Sequence, residues 1–217
     1  MERRFWLERW TKNQIGFHQP KPNPWLEAFW GQVQAQKSVF VPLCGKSLDM
    51  RFLEDQGLEV IGIDFAALAL EAYFEEAGEV VVEDDHKGLR RFKGDRSTLY
   101  CGDIFALGAA ELATVDAVFD RGALVALPPE LRRRYAEHLQ EILAVGTRVL
   151  LVTLEYDQGL VAGPPFSVLP EEVKALYGER CEVRQLVSQG TDNVPPHFSE
   201  QGVRRATEAV YLLSKKS

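Results

Sequence analysis

The sequence predicts an α/β fold, a doubly wound and mostly parallel sheet with an antiparallel C-terminal edge, and three observations carry that prediction. Residues 38–42 form a β-branched and aromatic run that breaks into the turn Leu43-Cys44-Gly45-Lys46, and a second such run over 59–64 ends in Asp64. Apolar residues recur at helical spacing between runs of this kind. Residues 147–154, Thr-Arg-Val-Leu-Leu-Val-Thr-Leu, are nearly all apolar or β-branched, as a central strand covered on both faces requires.

The elements follow in order. Ser47 is suited to cap a helix, after which Leu48, Phe52 and Leu53 share one face until Gly57, a residue suited to a left-handed stop. Residues 66–77 repeat the design with Leu70, Tyr73 and Phe74, and Gly78 ends it. Val80-Val81-Val82 and residues 89–92 flank Gly88 as a short excursion, 98–101 read as the third core strand, and 115–119 as the fourth. Pro128 and Pro129 open a helix carrying Leu131, Tyr135, Leu139, Ile142 and Leu143 on its apolar face, with the run Arg132-Arg133-Arg134 expected on a solvated face. After the strand at 147–154 come a loop over 157–166, a short helix near 171–177, a strand near 181–187, a proline-containing loop over 193–196 and a last strand near 208–213, the late strands pairing as a hairpin. No repeat or low-complexity segment interrupts this order, so residues 1–217 are expected to form one domain, with residues 1–30 as an N-terminal arm.

Composition narrows the partners. The 25 basic and 32 acidic side chains give an acidic chain with no electrostatic footprint for nucleic acid or an anionic membrane, which leaves small molecules; a monomer is expected. The three cysteines, Cys44, Cys101 and Cys181, are too widely spaced for a disulfide framework or a metal-ligand pair, so no metal and a reducing cytoplasm are expected. The start of the chain runs at once into Glu8, Arg9, Lys12 and Asn13, with no apolar signal core. The most apolar run, residues 149–154, falls far short of the about 20 residues that a spanning helix needs.

A carboxylate at the end of a second parallel strand, beside a turn after the first, is the arrangement that holds an adenosine-type ligand. A dinucleotide loop needs three glycines so that backbone can approach a pyrophosphate. With Gly45 in the middle of that pattern, Leu43 and Leu48 occupy the outer positions; with Gly45 first, Ser47 and Met50 follow. A Walker loop fails as well, because Phe40 stands where its first glycine belongs. S-adenosylmethionine has no phosphates and tolerates a single glycine, so it is the cofactor expected. Asp64 then has two readings, ligand of the ribose hydroxyls or cap of the helix beginning at Ala66. Asp103 and Ile104, after the third strand, can accept from an adenine amino group and cover its ring, or serve as a cap beside a core residue. Asp120-Arg121-Gly122 ends the fourth strand, where the permanent charge of Arg121 can favour an anionic acceptor or bind the cofactor carboxylate, or else pair with Asp120. Trp6 and Trp10, four apart, read by spacing alone as one packed helical face.

With Trp6-x-x-x-Trp10, Ile15-Gly16-Phe17-His18-Gln19, Val41-Pro42-Leu43-Cys44-Gly45-Lys46, the run from Asp120 to Leu127, and Gly163-Pro164-Pro165-Phe166 in this order, the chain resembles the thiopurine S-methyltransferase family, in its bacterial branch also associated with tellurite and selenium methylation. The resemblance spans most of the chain. It implies a class I S-adenosylmethionine-dependent methyltransferase fold, Rossmann-like, whose N-terminal arm folds over the cofactor. It implies cofactor contacts from Trp6 and Trp10, Leu43 and Gly45 at the methionine end, Asp64 on the ribose, Asp103 and Ile104 about adenine, and Arg121 between cofactor and acceptor. Phe17, Pro165 and Phe166 would line the acceptor pocket. The activity implied is methyl transfer to the sulfur of aromatic or heterocyclic thiols such as thiopurines, with Arg121 as the catalytic group and Asp120 as a positioner. Selenium or tellurium species are alternative acceptors, and a noncatalytic S-adenosylmethionine-binding module is the alternative outside enzymes. Two positions depart from the family pattern: Asp64 replaces the more usual Glu, and His197 stands where an Arg often reaches the substrate. His197 reads equally as a loop residue, and His18 as a proton acceptor or a packing residue.

Overall fold

A computed structural model describes residues 3–192, 194–195 and 197–216. Asn193 and Pro196 of the expected loop, and the extreme ends of the expected domain, lie outside the described residues. The strands are β1 (Ser38–Pro42), β2 (Glu59–Asp64), β3 (Val82–His86), β4 (Leu89–Lys93), β5 (Ser97–Cys101), β6 (Val115–Arg121), β7 (Arg148–Glu155), β8 (Cys181–Gly190) and β9 (Thr207–Lys215). They form a nine-stranded sheet in the order β3-β4-β5-β2-β1-β6-β7-β9-β8. The five central strands, β5 to β7 in that order, are parallel. Both flanks are antiparallel.

The antiparallel C-terminal edge is as expected, and the short excursion adds a second antiparallel flank. The expected excursion is the hairpin β3–β4, turned by Lys87 and Gly88 at φ 54° and 84°, the left-handed pair that a two-residue hairpin requires. Its outer strand is Val82-Glu83-Asp84-Asp85-His86 rather than the apolar Val80-Val81-Val82, and Val80 is 87% exposed. Charged side chains suit this edge because they discourage pairing with another chain.

Alternation along the strands sends side chains into two cores. Val39, Val41, Phe119, Leu150, Val152 and Val210 pack against α2 (Pro24–Val33), α3 (Leu48–Asp55) and α4 (Ala67–Ala77). Phe40, Val118, Leu151, Tyr211 and Leu213 face α5 (Pro129–Ile142) and α6 (Pro170–Tyr177). The arm contributes α1 (Arg3–Thr11), whose Trp10 packs with Ala66 and Ala69 at the start of α4. Ser47 caps α3 through the Asp49 amide, and Gly78 closes α4 at φ 65°, both as expected. A last short helix, α7, spans His197–Glu200.

Arg132 overturns the expectation of a solvated arginine run. It is 1% exposed, and Nε donates to the Leu127 carbonyl at 3.2 Å while Nη1 donates to the Ser167 carbonyl at 3.3 Å and to Glu172 Oε1 at 2.5 Å. Only Arg133 and Arg134 face solvent. None of the described helices is long and apolar enough to cross a membrane.

Candidate active site

The strand order reverses direction at β1, between β2 on one side and β6 on the other, and the carboxyl ends of these strands open on the crevice where open α/β sheets bind ligands. The turn after β1 is held to β2 by the Cys44 amide on the Ile63 carbonyl at 3.0 Å. Leu43 and Gly45 both have positive φ, 46° and 51°, which bends the chain sharply enough to bring the Gly45 amide onto Asp64 Oδ2 at 2.9 Å. The other oxygen of Asp64 accepts from the Ala66 amide, also at 2.9 Å. Asp64 thus closes a turn on Ala66, the residue just ahead of α4, without capping the helix itself, and the same carboxylate also fixes the glycine turn. Burial pushes this carboxyl up to about 6, against the pull of the Ala66, Gly45 and Phe65 amides.

The arm covers this turn. A Cβ on Gly45 would lie 2.8 Å from Trp10 Cζ2, so the indole rests directly on the glycine backbone. Trp6 and Trp10 each meet the Phe17 ring edge-on, at centroid distances of 5.3 and 5.5 Å. Arg121 at the end of β6 donates Nη1 to the Phe17 carbonyl at 3.1 Å. Trp6, Trp10, Phe17, Gly45, Asp64 and Arg121, expected together from the sequence, thus form one connected group. Burial lowers the Arg121 pKa, with the charges of Asp49 and Glu208 acting the other way. Glu208 in turn accepts from Trp25 Nε1 at 2.8 Å.

Asp120 does not pair with Arg121. Neighbours on a strand point to opposite faces, and Asp120 turns into the α5 side, fully buried, where it accepts from Tyr135 Oη at 2.7 Å and the Leu124 amide at 3.1 Å. Burial raises its carboxyl to about 6 despite these donors. Along the next strand over from β2, the Gly102 amide donates to the Asp64 carbonyl at 2.9 Å. Asp103 then caps a single 3₁₀ turn through the Phe105 amide at 3.1 Å, and Ile104 is buried at 3% exposure.

The segment from Gly163 to Phe166 approaches from beyond β7. The Phe166 amide donates to the Val125 carbonyl at 2.6 Å, just after β6, and Tyr156 Oη donates to the Pro165 carbonyl at 2.6 Å. Gly163, at φ 75°, has the Phe166 ring within 2.7 Å of where a Cβ would stand. His197 is exposed at the start of α7 with its ring edge-on to Phe198, which packs on Tyr156. His18 is half-buried in the turn after Phe17, and burial followed by the nearby Lys46 charge lowers its pKa. Sequence reasoning missed Tyr135 as the partner of Asp120, and His138, whose Nε2 donates to the Ile104 carbonyl at 3.0 Å. Tyr135 shows only as one apolar position of a helical stripe, and nothing local marks either contact.

A sequence model of the family described as thiopurine S-methyltransferase matches residues 1–216. The chain belongs to the thiopurine S-methyltransferase family. The thiopurine S-methyltransferase of Nitrosospira multiformis is 43% identical over 219 residues, covering 100% of both chains, and that of Pseudomonas aeruginosa is 44% identical over 217 residues, covering 99% of this chain and 100% of its own. Among solved structures, an S-adenosylmethionine-dependent methyltransferase from Anabaena variabilis superposes with a TM-score of 0.66 at 14% identity, covering 99% of this chain and 95% of its own. The Burkholderia thailandensis 1,6-didemethyltoxoflavin-N1-methyltransferase, solved with its acceptor and S-adenosylhomocysteine, gives 0.65 at 14% identity, covering 99% and 87%. These likenesses establish the class I methyltransferase fold, and family membership makes this thiopurine S-methyltransferase relative an S-adenosylmethionine-dependent enzyme. The residues present fit that cofactor by their chemistry: a carboxylate that can accept from hydroxyl groups ends β2 beside the glycine turn, and the Trp10 indole lying on Gly45 offers an apolar cover from the arm.

Proposed function

We propose that this chain transfers the methyl group of S-adenosylmethionine to the sulfur of an aromatic or heterocyclic thiol of the thiopurine kind, with Arg121 as the catalytic residue. The observation that carries this reading is the hydrogen bond from Arg121 to the Phe17 carbonyl, which joins the strand end bearing the permanent charge to the arm that covers the Gly45–Asp64 turn. Asp64 would hold the ribose, since a carboxylate has about four acceptor sites and the Gly45 and Ala66 amides use two. Leu43 and Gly45 would meet the methionine end, Asp103 and Ile104 the adenine, and Trp6 and Trp10 would close over the cofactor from the arm. When bound, the cofactor supplies an electrophilic methyl group on a sulfonium.

Arg121 remains charged at every working pH, and in its half-buried setting that charge favours the thiolate over the thiol form of the acceptor. Phe17, Pro165 and Phe166 would clasp the acceptor ring and aim its sulfur. Such orientation can supply about 7–11 kcal/mol where the bound geometry is near attack, so little base assistance is needed. Asp120 serves as a positioner, because both of its oxygens are occupied on the far face of β6. The same reading makes the protein a monomer of the reducing cytoplasm, in keeping with three free cysteines.

Methyl-transfer assays on mercaptopurine, thiophenol, selenite and tellurite test the proposal side by side. Fastest turnover of a thiol is expected. Turnover of selenite or tellurite alone would overturn the acceptor class and favour a role in tellurite or selenium methylation, and cofactor binding with no turnover on any acceptor would leave a binding module.

A further inference from the structure

Helix α5 carries three polar side chains at intervals of three, Arg132, Tyr135 and His138; Arg132 and His138 reach loops beyond the sheet's carboxyl edge, and Tyr135 reaches the end of β6. Arg132 binds the Leu127 and Ser167 carbonyls and Glu172, Tyr135 binds Asp120, and His138 Nε2 binds the Ile104 carbonyl with its ring edge-on to Phe105 at 5.3 Å. We infer that Arg132 is a positioning residue for the acceptor and His138 its counterpart for the cofactor, so that one helix sets the two halves of the site independently. The inference rests on the proposed placing of Pro165 and Phe166 at the acceptor and Ile104 at the cofactor.

Ser167 directly follows Phe166, and Leu127 ends the turn whose Val125 carbonyl accepts the Phe166 amide. The Arg132 guanidinium therefore bridges the same two segments that the Phe166 amide joins, and it does so from the interior. A cleft of about 630 Å³ is lined by Phe166 together with Arg132, Tyr156, Leu169 and Glu172, so packing alone does not hold the half-buried Phe166 ring. Hydrogen bonds do: Arg132 to Ser167, Tyr156 to Pro165, and the Ser167 amide to Gln158 Oε1 at 2.7 Å. A planar fork can serve two carbonyls and a carboxylate at once, which a lysine ammonium on its flexible stem cannot reproduce. Loosening the fork should free the aromatic wall while leaving the Gly45–Asp64 turn, which is built from β1 and β2, untouched.

The experiment pairs the acceptor KM in steady-state turnover with the S-adenosylmethionine Kd from calorimetry without acceptor. Arg132→Lys, which keeps a cation for Glu172, should raise the acceptor KM about tenfold and change the cofactor Kd less than about twofold. His138→Ala should do the reverse, raising the cofactor Kd about threefold to tenfold with the acceptor KM nearly constant. Equal movement of both quantities in either variant, or movement of neither, would overturn the inference. If Arg132→Lys fails to fold, Glu172→Gln takes its place; a rise of about threefold in acceptor KM alone supports the role, and an unchanged KM refutes it. Phe166→Ala separates the two levels: no effect on acceptor KM removes the wall assignment itself, whereas a rise there with no rise in Arg132→Lys removes the positioning role alone.

Discussion

Burial holds the Asp64 carboxyl near 6, and the donors it meets, the Gly45 and Ala66 amides, favour its ionised form. Ribose hydroxyls are donors too, so cofactor binding selects the ionised carboxylate and affinity must weaken as pH falls below about 6, by up to about tenfold per unit. Calorimetry across that range should show the slope in the wild type and a flat profile in Asp64→Asn. Asp64→Ala should weaken binding by ~1.5–3 kcal/mol, the worth of hydrogen bonds to a charged group. Arg121→Ala should depress turnover far more than it shifts the thermal midpoint, because Arg121 gives its charge to the acceptor and only one observed hydrogen bond to the arm; normal rates on a thiol would remove its assigned role. Asp64 was legible as an acidic strand end, but its capping and ligand readings looked like rivals in the sequence. In the structure its oxygens fix the Gly45 and Ala66 amides ahead of α4, so no helix cap competes with a ligand role and acceptor capacity is left for a diol.

At the level of elements, the parallel core was readable because its strands are short apolar runs bounded by turns, and the helices between them keep one apolar face. The outer hairpin was read only in part, because the edge strand β3 is mostly charged and owes its conformation to pairing with β4 rather than to its own composition. Arg132 was misread for a related reason. A run of three arginines usually faces water, and only the arrival of Ser167 and Glu172 from beyond β7 makes the interior habitable for one of them. The contact of Asp120 with α5 likewise joins elements distant in sequence. Asp120→Asn keeps the shape while losing a charged acceptor for Tyr135 and Leu124, and denaturant titration near neutral pH should reveal a stability change of no more than about 1–3 kcal/mol, with turnover falling through displacement of the β6 end.

Across the whole molecule, Asp64 and Asp120 tie folding to pH in the same sense. Each has its carboxyl raised from 3.8 to about 6 by burial, so the folded state binds more protons than the unfolded one between those values. The stability they contribute is complete below 3.8 and is lost as pH rises through about 6. Glu111 acts oppositely: hydrogen bonds from Lys87 and His86 hold it near 2, and its contribution is present above 4.5 and lost as pH falls through that lower value. Urea unfolding from pH 4 to 7 should therefore show a smaller decline in Asp120→Asn than in the wild type, and identical slopes would refute the buried-carboxylate account. If the joined arm, turn and strand end act on one reaction, a deuterated methyl group must pass from S-adenosylmethionine to mercaptopurine. Mass spectrometry should find the labelled methyl on the thiopurine sulfur in amounts matching the S-adenosylhomocysteine formed; a folded protein that binds the cofactor yet yields no S-methylated thiol would contradict it.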